Sequence, residues 1–276
     1  MIASFLLSLR EGLEAALIIG IVLGVLFKLK RSDLNITVWQ GVGLAILSSA
    51  VAAIALNLLG MEFEGQGEQI FEGTAMLLAA GVLTWMVFWM KEHGGNLKNE
   101  IEAQTNLAAL SKGQKALFAL AFLAVFREGI ELALFLLAAG LASNPAQTLT
   151  GSLLGLVAAT VLGWVLFNST KKLSLRGFFS VTNTLLIIFA AGMVGLGIHE
   201  FNEAGIIPAV IEHIWDVNLI LSDQSEIGLV LKALVGYNGN PSLTSTLGYI
   251  LYMAGIPIMM LVRKQNTTPA SIPTTE

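Results

Sequence analysis

The sequence predicts an all-α integral membrane protein with seven transmembrane helices, arranged as a 3+3 inverted repeat plus one extra helix. Three observations predict this fold class. Only 12% of the residues are charged and 55% are hydrophobic, whereas about a quarter of the residues of a soluble domain are charged. Long apolar segments recur along the whole chain, and one short charged motif occurs twice within them.

Seven segments are apolar over about 20 residues, which is the length that a helix needs to cross the hydrocarbon core. They are Ile2–Phe27, Ile36–Leu59, Ile70–Met90, Ala116–Leu141, Leu149–Phe167, Phe178–Ile198 and Leu243–Val262. Transmembrane β-strands are disfavoured, because the apolar runs are too long and do not alternate with polar residues. The segments therefore predict helices.

The domain organisation follows from these segments. We expect one transmembrane domain at residues 1–264 and a disordered cytoplasmic tail at residues 265–276, which is rich in Thr and Pro. The domain divides into repeat one (1–90), repeat two (116–200), an external loop (201–242) and helix seven (243–262). Within the loop, Ile206–Ile220 and Glu226–Val235 have the spacing of short helices.

Basic residues predict the orientation, because cytoplasmic loops carry an excess of Lys and Arg. In a seven-span arrangement, twelve of the fifteen basic residues fall on one side of the membrane. They are Lys28, Lys30, Arg31, Lys91, Lys98, Lys112, Lys115, Lys171, Lys172, Arg176, Arg263 and Lys264. We therefore expect a multi-pass protein of the cell membrane (inner or plasma membrane), with its N-terminus outside and its C-terminus in the cytoplasm.

The charged motif, Arg-Glu-Gly-aliphatic-Glu, begins at Arg10 in the first segment and at Arg127 in the fourth. Three spans separate the two copies, and an odd number of spans reverses the direction of the chain. The copies would therefore belong to inverted repeats, an arrangement in which secondary transporters bind their substrate near the midplane. Both motifs lie near the middle of a bilayer about 30 Å thick.

Helical geometry places the charged residues of each motif on one face, since Glu14 and Glu11 lie about 40° and 100° from Arg10. A charge at the bilayer centre costs about 2.5–3.5 kcal/mol, so we expect all six charged side chains to face the bundle interior. The i,i+4 pairs can form ion pairs. The predicted metal ligands are Glu11, Glu14, Glu128 and Glu131, with Arg10 and Arg127 as supporting charges.

Four carboxylates and two guanidinium groups leave a net charge of −2, which suits a cation. Oxygen ligands favour hard cations such as Mg²⁺, Ca²⁺, Mn²⁺ and iron, and the chain has no cysteine that could supply a thiolate. An alternative interpretation is that the charged residues form buried ion pairs that only hold the helices together, although such pairs stabilise proteins poorly.

On these residues the sequence resembles the oxidase-dependent iron permeases, which include the fungal high-affinity iron permease and the bacterial ferrous-iron uptake permeases. The doubled motif carries the resemblance, which extends from Ile2 to Arg263. It implies a permease rather than an enzyme, with iron (Fe²⁺ or Fe³⁺) as the transported substrate and no permanent cofactor. It also implies that the arginines and glutamates of both motifs are required for transport.

The resemblance further implies a partner, since relatives work with periplasmic iron-handling proteins or with a multicopper ferroxidase. No fused extracytoplasmic domain of the kind that some relatives carry is recognised, so we expect a separate oxidase or iron-delivery protein. Relatives that move lead keep a similar motif, which leaves lead or manganese as an alternative cargo. No basic run or nucleotide motif predicts binding of nucleic acid or ATP.

Other residues are weaker candidates. Glu64, Glu68 and Glu72 are spaced by four and would form a funnel for incoming cations, with Glu72 deep enough to face the motif site. The alternative interpretation is that Glu64 and Glu68 are only solvated surface residues. A second group of predicted metal ligands, at the outer end of the sixth segment, is His199, Glu200 and Glu203. Solvated side chains at a helix end are the alternative interpretation for that group.

Trp85, Trp89, Trp164 and Trp215 have the character of anchors at the membrane interface. Two further functions remain open at this stage. An intramembrane glutamate-dependent enzyme is a remote alternative, because such proteases also bury Glu, Arg and His. A proton or anion carrier could use the same buried pairs, although excess carboxylate disfavours anions.

Overall fold

The computed structural model describes residues 1–168, 175–223 and 225–266. Its regular structure within these residues is helical, and they contain no β-strand. The helices are α1 (Ile2–Lys28), α2 (Asn35–Met61), α3 (Gln66–His93), α4 (Leu97–Leu107), α5 (Gly113–Leu141), α6 (Pro145–Asn168), α7 (Leu175–Glu203), α8 (Glu226–Val235) and α9 (Leu243–Asn266). A short 3₁₀ turn, Ser32–Leu34, precedes α2, and a π-helical turn, Ala108–Lys112, joins α4 to α5.

Several of these helices are suited to lipid. By length and apolarity, four helices in the described part of the chain can cross a membrane, namely Ser32–Met61, Gln66–His93, Pro145–Phe167 and Phe179–Glu203. The chain is thus an all-helical protein with membrane-spanning helices, as predicted. Each of the seven predicted segments falls within a long helix, while the number of spans stays a prediction.

Small residues let the helices pair closely. A Cβ atom on Gly12 of α1 would lie only 2.7 Å from the Cβ of Ala159 on α6, and one on Gly163 would lie 2.9 Å from the Cβ of Ala16. The contacting residue numbers rise together, so α1 and α6 are parallel. Glycine at these positions removes the side chains that would hold two membrane helices apart.

A similar parallel pair forms between α2 and α5. A Cβ on Gly41 would lie 2.7 Å from the backbone oxygen of Phe118, and one on Gly129 would collide with the Ser49 hydroxyl. Helix α3 instead packs antiparallel on α7, where a Cβ on Gly73 would lie 2.9 Å from the backbone oxygen of Gly197. These three pairs place α1, α3 and α5 side by side around the charged motifs.

The external loop folds back against the bundle. Helix α8 has the bounds that were expected, and its first turn is capped by Ser225, whose hydroxyl accepts a hydrogen bond from the Gly228 amide at 3.0 Å. The helix ends at Gly236, whose φ of +70° suits glycine, and Gly236 lies against the backbone of Gly192 in α7. The expectation of a helix at Ile206–Ile220 is wrong, because that stretch is irregular.

One helix was not predicted from the sequence, and part of the predicted organisation lies outside the described residues. Helix α4, between the third and fourth predicted spans, was not predicted; it packs on α1 through the buried Ile101 and Thr105. The predicted disordered tail lies outside the described residues from position 267 onward, and Lys171 and Lys172 also lie outside them.

The glycine contacts give a test of the packing. Replacing Gly73 by Leu should lower the thermal unfolding temperature in detergent, because overpacking a tight interface typically costs about 1–3 kcal/mol. Gly81 lies on the same helix with no atom within 4 Å of its Cβ position, so Gly81→Leu is the matched control and should leave that temperature unchanged. Equal unfolding temperatures for the two variants would contradict the α3–α7 crossing.

Candidate functional site

The first motif is completely buried on α1. Arg10 is 0% exposed, and its Nη1 donates to Glu11 Oε1 at 2.8 Å while also contacting the sulfur of Met86 on α3 at 2.6 Å. Its Nη2 lies 3.0 Å from Glu14 Oε1. One guanidinium therefore neutralises charge on both glutamates of its own motif, and the predicted i,i+4 ion pair forms.

The second motif is arranged differently on α5. Arg127 Nε donates to Glu131 Oε1 at 2.9 Å and lies 3.8 Å from Glu128 Oε1, so the predicted i,i+4 pair also forms here. The Arg127 side chain is 36% exposed. Arg127 is thus the one charged residue of the two motifs that is not buried, although all six were expected to face the bundle interior.

Two indole rings accompany the exposed part of Arg127. Its Cζ atom lies 4.8 Å from the ring centroid of Trp89 and 5.6 Å from that of Trp85, both on α3. These are cation–π distances. The interpretation of Trp85 and Trp89 as simple interface anchors is incomplete, because both rings contact a residue of the motif.

Carboxylates from both motifs converge between α1 and α5. Glu11, Glu128 and Glu131 each supply an oxygen, and these oxygens lie within 4.8 Å of one another. All three residues are buried. In each, the Oε2 atom is buried and has no hydrogen-bond partner within the described residues. Unpaired carboxylate oxygens so close together require a cation or protons, and their number and spacing fit a metal ion that prefers oxygen.

Glu14 lies one turn further along α1 than Glu11 and is also buried. It contacts Arg10 but is not one of the three converging carboxylates. The four predicted carboxylates thus divide into a converging group of three and one that faces the Arg10 guanidinium. Their role as metal ligands stays a prediction.

Glycine at the third position of each motif explains how the helices come so close. Gly12 faces α6 and Gly129 faces α2, where the hydroxyl oxygen of Ser49 is buried without a hydrogen-bond partner within the described residues. Ser4 and Ser8 on α1 also carry buried hydroxyls without such a partner. Sequence reasoning missed these serines and Met86, since no motif or spacing distinguishes them from core residues.

The second predicted group lies apart from the motif carboxylates, where the start of α3 crosses the end of α7. His199 Nε2 lies 3.3 Å from Glu203 Oε1, and Gln69 Nε2 donates to Glu203 Oε2 at 3.3 Å. Glu72 interacts electrostatically with Glu203, and Glu200 interacts with Glu72. Contrary to expectation, Glu72 lies with these acids of the α3–α7 crossing and is not among the converging carboxylates.

Comparison with known proteins gives one consistent result. A family profile described as "Iron permease FTR1 family" matches residues 1–264. The chain is similar to the ferrous iron permease EfeU of Escherichia coli O6:K15:H31 (strain 536 / UPEC), at 35% identity over 92% of each chain. It is also similar to the ferrous iron permease EfeU of Yersinia pestis, at 33% identity over 99% of this chain and 97% of that relative. No solved structure matches the chain.

The buried ion pairs predict a large difference between two basic residues of α1. Arg10→Gln leaves Glu11 and Glu14 buried without their cation, which should cost about 3–5 kcal/mol of stability and lower the thermal unfolding temperature in detergent. Lys28 is 72% exposed and forms a loose 3.8 Å pair with Glu102, so Lys28→Gln should have no measurable effect. If Arg10→Gln unfolded at the wild-type temperature, the described charge network would be wrong.

Proposed function

This chain belongs to the iron permease FTR1 family, and from that premise we propose that it imports iron across the cell membrane through the carboxylates of its two motifs. The family consists of permeases, not enzymes, so the alternative of an intramembrane enzyme is dropped. The names of the relatives describe them as permeases for ferrous iron.

The observation that carries the proposal is the convergence of Glu11 from one motif with Glu128 and Glu131 from the other. A site that drew its ligands from one helix could bind a cation without linking the two halves of the protein. Here the ligands come from two helices, α1 and α5, one in each proposed repeat. Glu14 would join them as a fourth ligand through the carboxylate oxygen that does not contact Arg10.

Charge balance favours Fe²⁺ as the ion. The two guanidinium groups neutralise two of the four carboxylates, and a divalent cation neutralises the remaining two. A trivalent ion would leave the site near +1, at a depth where net charge is costly. The relatives' names also specify ferrous iron. Mn²⁺ and Pb²⁺ have the same charge, so oxygen ligands alone discriminate weakly among them.

The helix pairing supports an inverted repeat. If α1–α3 and α5–α7 are equivalent halves, then the parallel pair of α1 with α6 corresponds to the parallel pair of α5 with α2. The contacts of α1 with α5 and of α3 with α7 would then lie on the axis that relates the halves. We propose seven spans, with α9 outside the repeat, and alternating exposure of the midplane site to the two sides.

The outer group of His199, Glu200, Glu203 and Glu72 would collect cations before they reach the motifs. In the proposed orientation it faces outside, where a separate oxidase or iron-delivery protein would release iron. Its acids lie on α3 and α7, both of which continue inward toward the motif carboxylates. This placement suits a first cation-binding site of lower affinity, since partly exposed acids attract cations without fully dehydrating them.

Uptake of ⁵⁵Fe²⁺ by cells that lack their own iron importer tests the site. Glu131→Gln and Glu11→Gln should each lower uptake at least about tenfold, because loss of a ligand weakens metal binding at least as much as loss of a supporting group. Glu100→Gln, an exposed residue on α4, should transport at the wild-type rate when present in equal amounts in the membrane. Wild-type uptake by Glu131→Gln would contradict the site, and transport of Mn²⁺ or Pb²⁺ in preference to Fe²⁺ would contradict iron as the cargo.

The absence of cysteine allows a clean test of orientation with single introduced cysteines. Glu64→Cys lies in the proposed external loop and Ser32→Cys in a proposed cytoplasmic loop, and both positions are exposed. A membrane-impermeant maleimide should label Glu64→Cys in intact cells and Ser32→Cys only after permeabilisation. The reverse pattern would place the N-terminus in the cytoplasm, and labelling of both positions in intact cells would contradict the span count.

A further inference from the structure

One turn of α3 contacts both arginines of the motifs. Met86 contacts Arg10, and Trp85 and Trp89 lie over Arg127. The two tryptophans are four residues apart, so their rings lie on the same side of the helix. Helix α3 carries neither motif, yet it contacts both guanidinium groups. A thioether contacts Arg10, whereas two indole rings contact Arg127.

The two arginines differ in their freedom to move. Arg10 is 0% exposed and lies between Glu11, Glu14 and Met86. Arg127 is 36% exposed, bonds Glu131 through Nε and lies with its Cζ over the indole rings. The positive end of Arg127 is therefore the one that can turn either toward the carboxylates or away from them.

Carboxylate oxygens that could attract this guanidinium lie close to it. Glu128 Oε1 lies 3.8 Å from Arg127 Nε, and the Oε2 atoms of Glu128 and Glu131 are buried without a hydrogen-bond partner within the described residues. A guanidinium has five N–H donors in a planar fork. If it turned inward, those donors would occupy the same oxygens that a metal ion needs.

The indole faces oppose that movement. An aromatic ring attracts a cation through its quadrupole, and tryptophan does so most strongly. We propose that Trp85 and Trp89 are positioning residues that hold the Arg127 guanidinium aside, so that the converging carboxylates stay available to the metal ion. This inference rests on the proposed function. In the proposed orientation Arg127 precedes Glu128 and Glu131 on the cytoplasmic side, so the same contact would also keep the inner exit clear.

The experiment measures Fe²⁺ binding by the purified full-length protein in lipid nanodiscs, by anaerobic titration calorimetry. Trp89→Ala should raise the Kd about tenfold, the order expected for losing a partly desolvated cation–π contact. Trp89→Phe keeps an aromatic face and should stay within about threefold of wild type. Trp164→Ala changes a tryptophan of α6 that is exposed on the outer surface of the bundle and should leave the Kd unchanged.

A double-mutant cycle with Arg127→Gln separates positioning from a general packing defect. When the guanidinium is absent, Trp89→Ala should change the Kd by less than about twofold, because there is no cation left to hold aside. An unchanged Kd in Trp89→Ala would overturn the inference. An equal increase of the Kd when Trp89→Ala is introduced into the wild-type protein and into Arg127→Gln would also overturn it. So would a Kd for Trp89→Phe that is as high as the Kd for Trp89→Ala.

The proposed function has a separate control in the same titration. Glu131→Gln should weaken Fe²⁺ binding whatever the tryptophans do. If Glu131→Gln weakens binding and Trp89→Ala does not, only the positioning role is wrong. If Glu131→Gln binds Fe²⁺ like the wild type, the carboxylate site itself is wrong and the positioning role fails with it.

Discussion

The cost of burying charge inside an apolar helical bundle determines how this protein is built. The two motifs place six charged residues on α1 and α5, and each would cost about 2.5–3.5 kcal/mol if it stood alone at the bilayer centre. They are tolerated because each arginine contacts the glutamates of its own motif and because five of the six are buried. The glycines that bring α6 against α1 and α2 against α5 keep lipid away from these charges, so helix packing and charge pairing depend on each other.

Helix α3 completes the arrangement without contributing to the motifs. The turn that contains Met86 places a thioether against one guanidinium, and Trp85 and Trp89 place two indoles over the other. A thioether is a weak acceptor and an indole face attracts cations, and neither group adds a negative charge to the site as a third acid would. The helix thereby supports the arginines while leaving the charge balance of the site unchanged.

The sequence predicted those features that depend on spacing within one helix. The positions of the long helices, the bounds of α8 and both i,i+4 ion pairs follow from hydrophobic length and helical geometry. Features that depend on contacts between distant segments could not be predicted in this way. Nothing near Trp89 in sequence indicates that Arg127, 38 residues later in the chain, lies against its ring. Helix α4 was missed because its polar composition gives little apolar signal, and it is stabilised by packing of Ile101 and Thr105 on other helices.

In the proposed function, the two arginines lower the negative charge of the site when no cation is bound, and this makes the empty state of the carrier possible. Four carboxylates alone would carry −4 in the empty state, and a metal that neutralised them would be bound too tightly to leave. Two resident guanidinium groups reduce the empty site to −2, which a divalent ion can neutralise and from which it can still depart. A transport site must bind its ion strongly enough to admit it and weakly enough to release it. The arginines would therefore set the affinity of the site as well as its stability, and a guanidinium that can turn aside, as Arg127 can, lets the charge near the carboxylates change during one transport cycle.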